Sequence, residues 1–92
     1  MIDVMAEVAE KIIREQQNVI GPLAVEQAKR VAGLTIDSQN HVSLVGDKSA
    51  AINHLVEQYK KIFGQTSVEV SKNAVNNLVS GLPPQQVPSI LK

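Results

Sequence analysis

The chain has 92 residues, of which 43% are apolar; nine acidic side chains balance nine basic ones, and cysteine is absent. This size favours one domain with a modest core, close to the range in which oligomerisation adds needed burial. Charge neutrality argues against a domain that coats nucleic acid through its phosphates, and the lack of cysteine excludes disulfides, thiol catalysis and cysteine metal sites. No apolar run approaches the roughly 20 residues of a membrane span, and the start lacks the pattern of a secretion signal, so we expect a cytoplasmic protein.

A stretch around Gly21 returns in altered form around Gly64. Val19–Lys29 aligns with Ile62–Lys72, and in both copies a bulky apolar residue precedes the glycine. Single glycines between helical patterns are typical of helix ends. We therefore interpret residues 1–92 as one domain containing two helix-Gly-helix units, about 2–34 and 47–82, followed by a C-terminal tail, 83–92.

The first unit begins with apolar residues at three- and four-residue steps, which predict an amphipathic helix from Ile2 to about Val19. Gly21 ends this helix, and Pro22 is suited to the first turn of a second helix reaching about Ala32. Gly33, followed by apolar Leu34, predicts that the second helix ends at a glycine in the left-handed backbone conformation.

The period changes between Leu34 and Val45, where apolar and polar residues alternate on either side of a polar centre. This alternation predicts a short β-hairpin, about residues 34–45, with one apolar face. Two strands alone are marginally stable in water, so we expect the hairpin to lie on the helices or to pair with a second copy.

The second unit begins after Gly46, with Asp47 or Ser49 as the cap of a third helix that runs to about Phe63. Gly64 ends that helix. The spelling from Thr66 to Glu69 is typical of a capping box at the start of a fourth helix, which runs to about Ser80. The apolar positions expected on the third helix, the fourth helix and the tail are Ala51, Ile52, Leu55, Val56, Tyr59, Ile62 and Phe63; Val68, Val75, Leu78 and Val79; and Val87, Ile90 and Leu91.

These elements predict a mostly α fold, a small helical bundle of two helix-Gly-helix hairpins with a short β-hairpin between them. The core has few aromatic residues, so burial per residue is low, and wide apolar stripes together with a strand edge favour an isologous homodimer. The predicted core or dimer face comprises Ile12, Leu55, Tyr59 and Phe63.

No pattern of residues predicts a catalytic, cofactor-binding or metal site. Glu26 and Glu69 hold matching places in the two units, but helix capping explains Glu69 better than chemistry does, and Glu26 less fully. His41 and His54 lack the spacing of a metal pair and are predicted to be surface residues.

The function that remains is a non-enzymatic protein-interaction or regulatory module acting as a homodimer, with an unknown protein partner. One alternative is a helix-turn-helix-like DNA-binding domain; a second is a small-ligand-binding or sensor domain. The polar surface that a DNA-binding or contact role would use consists of Lys29, Arg30, Lys72, Asn73, Asn76 and Asn77.

Overall fold

The computed structural model describes residues 3–91; the predicted helix start at Ile2 and the end of the tail at Lys92 lie outside this part of the chain. The helices are α1 (Val4–Ile20), α2 (Leu23–Ala28), α3 (Lys48–Phe63) and α4 (Gln65–Val79), and the strands are β1 (Leu34–Ile36) and β2 (Val42–Leu44). The mostly helical fold with a hairpin between α2 and α3 confirms the predicted fold class.

Short acidic side chains begin the two longest helices, α1 and α3. Asp3 accepts from the backbone N–H groups of Met5 and Ala6 at the start of α1, and Asp47 accepts from Ala50 at 3.0 Å at the start of α3. Each carboxylate satisfies N–H groups that have no partner inside the helix. Of the two caps predicted for α3, Asp47 is therefore the one that acts.

Gly21 and Gly64 end α1 and α3 in the same way. Gly21 has φ 66° and ψ −147°, and Gly64 has φ 80° and ψ −168°, a region essentially restricted to glycine. Each glycine N–H donates to the carbonyl four residues earlier, Gln17 at 2.9 Å and Lys60 at 2.8 Å. The prediction that these glycines end helices is confirmed.

The second helix is shorter than predicted: α2 ends at Ala28, whereas the sequence pattern placed its end near Ala32. The N–H groups of Arg30 and Val31 bond to carbonyls three residues back, so the chain tightens and leaves the α-helix. The chain must then turn into β1, and Gly33, at φ 83°, makes this turn with the positive φ that the sequence predicted.

The capping box predicted at the start of α4 is wrong. The helix begins at Gln65 directly after Gly64, and no side chain caps it. Thr66 therefore lies inside the first turn, and the carboxylate of Glu69 lies near the side-chain amide of Gln65, at 3.4 Å. Because Gly64 serves both helices, α4 starts two residues earlier than a Thr66 cap would allow.

The hairpin is antiparallel, with Leu34 opposite Leu44 and Ile36 opposite Val42. Its apolar side chains are buried or half-buried, while Thr35 and Ser43 are exposed, as the alternation predicted. The β2 strand packs on α1, where Glu10 accepts a hydrogen bond from the Val42 N–H at 2.8 Å. This carboxylate covers an outward N–H of the β2 edge.

The helices α1 and α3 form the centre of the molecule, and α2 and α4 each pack against both. The two central helices bury residues at identical distances from their glycines. These residues are Val8, Ala9, Ile12, Ile13 and Gln16 on α1, and Ala51, Ile52, Leu55, Val56 and Tyr59 on α3. The two units therefore share a packing pattern as well as an aligned sequence.

The tail docks on the bundle through two 3-10 turns, Pro84–Gln86 and Ser89–Leu91. Asn53 accepts from the Ile90 N–H at 3.0 Å, and the Ser49 hydroxyl donates to the Gln86 carbonyl at 2.9 Å. Leu91 is buried against α3 and α4. The tail thus adds to the core that the two units build.

Four apolar positions predicted on α3 and α4 are less buried than expected. Ile62 and Phe63 are exposed at the end of α3, while Leu78 and Val79 are half-buried at the end of α4. All four lie in the last turns of their helices, where fewer neighbouring elements cover the surface. Helical periodicity identifies a face correctly but does not say where the opposing helix ends.

Candidate functional site

Two buried hydrogen bonds connect the units reciprocally. The Gln16 side-chain amide on α1 donates to the Ser67 carbonyl on α4 at 3.0 Å, and the Tyr59 hydroxyl on α3 donates to the Ala24 carbonyl on α2 at 2.7 Å. Each donor lies five residues before its own glycine, and each acceptor lies three residues after the glycine of the other unit. The units therefore meet in a quasi-symmetric arrangement at this level of the bundle.

These bonds place the C-terminal ends of α1 and α3 at the same end of the molecule. At the opposite end, Lys48 at the start of α3 contacts Asp3 at the start of α1, with 2.8 Å between Nζ and Oδ2. The two central helices therefore run in the same direction. We call the end that contains Gly21 and Gly64 the glycine end.

Apolar side chains are exposed at the glycine end. Val19 is 64% exposed and lies seven residues after Ile12; Ile62 is 45% exposed and lies seven residues after Leu55. Residues seven apart share a helix face, and Ile12 and Leu55 are fully buried, so Val19 and Ile62 continue the two core-facing stripes. Phe63, at 36%, is exposed beside Ile62.

We call Val19, Ile62 and Phe63 the glycine-end patch. Val19 and Ile62 extend helix stripes whose earlier positions, Ile12 and Leu55, are fully buried, and Phe63 follows Ile62 on α3. Exposed apolar surface of this kind at one end of a small domain is typical of a contact with another protein.

The polar groups beneath the patch are neutral and paired. The Ser71 hydroxyl accepts from Gln16 at 3.2 Å and donates to the Ser67 carbonyl at 2.9 Å. Burial raises the pKa of the Tyr59 phenol far above its usual range, so this group stays protonated and donating at physiological pH. The buried polar side chains one helical turn before the patch are therefore uncharged and hydrogen-bonded.

The predicted core or dimer face divides into two groups. Ile12, Leu55 and Tyr59 have no exposed surface and belong to the core of the single chain, whereas Phe63 remains exposed. Only Phe63, of these four, is available to a second molecule without rearrangement of the helices.

The predicted polar contact surface is not one surface. Lys29 and Arg30 follow the end of α2, whereas Lys72, Asn73, Asn76 and Asn77 lie on α4. The helices α2 and α4 pack on the central pair and not extensively on each other, so the six side chains are not brought together. With six residues, and with its basic residues beyond its end, α2 is too short to present a recognition face to a DNA groove.

The remaining candidates are exposed and separate. Glu26 lies in the first turn of α2 without a capping hydrogen bond, and Glu69 contacts Gln65 as described. His41 lies at the hairpin tip, 3.6 Å from Asp37, while His54 is exposed on α3. Two backbone N–H bonds, from His41 and Gln39, hold the pKa of Asp37 below its usual range and fix the tip.

Sequence reasoning missed the Gln16–Ser67–Ser71 network. The available signal was Gln16 itself, a polar residue that lies in the apolar stripe of α1 three residues after Ile13. A polar residue in such a position needs a buried partner. The partners lie more than fifty residues away, so only the fold identifies them.

Within residues 3–91, no group of three or more histidine or carboxylate side chains is arranged to hold a metal ion. No helix in the same part of the chain has the length and hydrophobicity needed to span a bilayer. Comparison with protein-family models, with curated proteins and with solved structures found no match to this chain.

Proposed function

We propose that this protein is a non-enzymatic interaction module that forms a homodimer through the glycine-end patch and acts in a regulatory or adaptor role in the cytoplasm. The observation that supports the proposal is the exposure of Val19, Ile62 and Phe63 at the glycine end, where the core-facing stripes of α1 and α3 finish. A partner that covered them would complete the core at its open end.

A second copy of the chain is a partner that the net charge does not oppose. The chain has no net charge, so two copies approach one another without long-range repulsion. Val19 and Ile62 hold equivalent places in the two units, one on each central helix, so the patch presents similar chemistry on both sides of the glycine end. A surface of this kind is suited to isologous contact, in which the same patch serves both protomers.

Sedimentation velocity over a concentration series, supported by native mass spectrometry, tests the proposal. The wild-type chain should change from monomer to dimer as concentration rises. Replacing Ile62 by Lys places a charge in the contact, and we expect Ile62→Lys to raise the dimer dissociation constant by at least about tenfold, or about 1.4 kcal/mol. Val19→Lys should act in the same direction.

Val45→Lys is the matched control, because Val45 is a valine with 67% exposure that lies before α3, at the opposite end of the molecule. It should leave the dissociation constant unchanged. A wild-type chain that stays monomeric throughout the series would overturn the proposal. Equal weakening by Val45→Lys and Ile62→Lys would also overturn it, since the contact would then not be the glycine-end patch.

A further inference from the structure

A polar cleft lies between the turn that follows α2 and the outer face of α3. Its volume is about 220 Å³. On α3 the lining residues recur at three- and four-residue steps and so share one helix face. The residues that line the cleft are Arg30, Val31, Ala32, His54, Glu57, Gln58 and Lys61.

Basic groups predominate in this cleft and lack direct partners. Arg30 and Lys61 carry permanent positive charges, His54 adds an imidazole, and Glu57 is the one acid in the lining. Within residues 3–91, neither Arg30 nor Lys61 forms a salt bridge with a carboxylate, so Glu57 shares the cleft with them without pairing directly with either.

The base of the cleft is held in place. Val31 is buried, and the Gln58 side-chain amide donates to the side-chain oxygen of Gln27, itself buried, at 2.7 Å. This bond joins α3 to α2 directly beside the cleft. Because the chain leaves the α-helix after Ala28, Arg30 lies in a tightened turn and not in a helix, and from this turn it lines the cleft.

The other unit contains a smaller counterpart, whose basic residues all lie on one helix. The cleft between α1 and α4 is lined by Lys11, Arg14, Glu15 and Ala74, which align with His54, Glu57, Gln58 and Val31, and its volume is about 110 Å³. Asn73 aligns with Arg30 and does not line this cleft. The quasi-symmetric partner is therefore half the size and has no basic residue contributed by the facing element.

We propose that the cleft between α2 and α3 binds the phosphate group of a small organic phosphate. A guanidinium can bond two phosphate oxygens at once and a lysine ammonium supplies a point charge, so Arg30 and Lys61 together match a doubly charged oxyanion. The volume is below the roughly 300–1,000 Å³ typical of drug-sized ligands, which restricts the ligand to a small molecule. Glu57 is available to accept a hydrogen bond from a hydroxyl of the organic part.

The test is an NMR titration of the isotope-labelled full chain with glycerol 3-phosphate, with chloride used to hold ionic strength constant. We expect saturable shifts of the backbone amides at residues 30–32 and 54–61. Arg30→Ala and Lys61→Ala should each weaken binding about tenfold. Both residues are exposed, so these variants should keep the fold, and their amide spectra will show it.

Lys11→Ala and Arg14→Ala are the matched controls, since they remove basic residues from the counterpart cleft. Each should change the dissociation constant by less than about twofold. If they weaken binding as much as Arg30→Ala does, or if the shifts fail to saturate, the anion interacts with the surface charge in general and the proposal is overturned.

A parallel titration with inorganic phosphate distinguishes the two sources of the anion. An organic phosphate should bind more tightly than inorganic phosphate, and Glu57→Gln should remove that difference. Equal binding of the two would assign the cleft to free phosphate and overturn the role given to the organic part. This site is separate from the proposed dimer contact, so Val19→Lys, which changes the patch on α1 and no residue of the cleft, should leave the titration unchanged.

Discussion

The two helix-Gly-helix units bury the same positions with different side chains. Gln16 in the first unit and Tyr59 in the second have the same place before their glycines, and each donates to a backbone carbonyl of the other unit. One is an amide and the other a phenol. What the packing requires at this position is a donor long enough to reach the carbonyl, and the chemical class of the side chain is secondary.

The units differ most in their second helices. The α2 helix has 6 residues and α4 has 15, although both start directly after the glycine turn. The shortening of α2 leaves the turn that contains Arg30, and this turn forms the larger of the two equivalent clefts. The difference in length between α2 and α4 therefore makes the two clefts unlike, although the buried positions of α1 and α3 remain equivalent.

Charge placed in the shared core should produce the largest effect. Ile12 and Leu55 are fully buried equivalents, so Ile12→Asp and Leu55→Asp should each unfold the chain, because an unpaired buried carboxylate costs several kcal/mol of a total near 5–15 kcal/mol. Circular dichroism and thermal melting measure this. Ile12→Ala and Leu55→Ala should each cost about 2–5 kcal/mol.

Gln39→Asp is the control for these variants, since Gln39 is exposed near the hairpin tip. Its melting temperature should match that of the wild type. An Ile12→Asp protein with the melting temperature of the wild type would contradict the burial of Ile12 in the shared core.

Replacing glycine by alanine should cost less stability at Gly21 and Gly64, which end the central helices, than at Gly33, which precedes β1. Gly21→Ala and Gly64→Ala should cost similar amounts, about 1–3 kcal/mol, because both have glycine-only backbone angles and open space around the added Cβ. Gly33→Ala should cost more, since its Cβ would lie 2.9 Å from the Val45 carbonyl oxygen. Urea denaturation gives the order, and a Gly33→Ala variant as stable as Gly21→Ala would refute it.

The reciprocal hydrogen bonds should be unequal in strength. Tyr59→Phe removes the donor to Ala24 and should cost about 0.5–1.5 kcal/mol. Gln16→Leu should cost less, because the Ser71 hydroxyl continues to donate to the Ser67 carbonyl and leucine fills a similar volume. The midpoints of urea denaturation measure both values, and a larger loss for Gln16→Leu would show that the two bonds of the amide to Ser67 and Ser71 outweigh the single bond of Tyr59.

The contact at the end opposite the glycines should give the smallest effect and a dependence on pH. The Lys48 hydrogen bond is the main cause that lowers the pKa of Asp3 from its usual 3.8. A carboxyl whose pKa is lowered by folding stabilises the fold above its unfolded pKa, and this contribution is lost as the pH falls through the folded pKa.

Since the Asp3 side chain is 38% exposed, the contribution should be about 0.5 kcal/mol or less. Asp3→Asn keeps the cap but not the charge, so it should be slightly less stable than wild type at neutral pH. The two curves of stability against pH should converge as the pH falls through the folded pKa of Asp3, which lies below 3.8. Curves that stay parallel would exclude the ion pair as the cause.

Local signals predicted the element order well. Gly21, Gly64 and Asp47 act where the sequence placed them, because helix termination by glycine and capping by a short acid depend on a few neighbouring residues. The capping box predicted from Thr66 and Glu69 was wrong, because α4 begins directly after Gly64 and Thr66 lies inside its first turn. When two local signals compete, only the packed structure decides which one acts.

The candidate surfaces were less predictable. Phe63 was expected on a buried face because helical periodicity continues to the end of α3, whereas the core ends one turn earlier. His54 and Arg30 were noticed separately, but their meeting in one cleft depends on the packing of α2 against α3.

The sequence by itself determined the helical class, the hairpin between the units and the glycines that end the central helices, since each rests on periodicity or backbone freedom within a few residues. Only the tertiary structure decided that α1 and α3 run in the same direction and that Gln16 and Tyr59 bond across the units. It also decided that the core ends about one helical turn before the apolar stripes do, at the glycine end. These features join residues far apart in the chain, and the free energy that selects them comes from burial and hydrogen bonding between elements, which no local pattern contains.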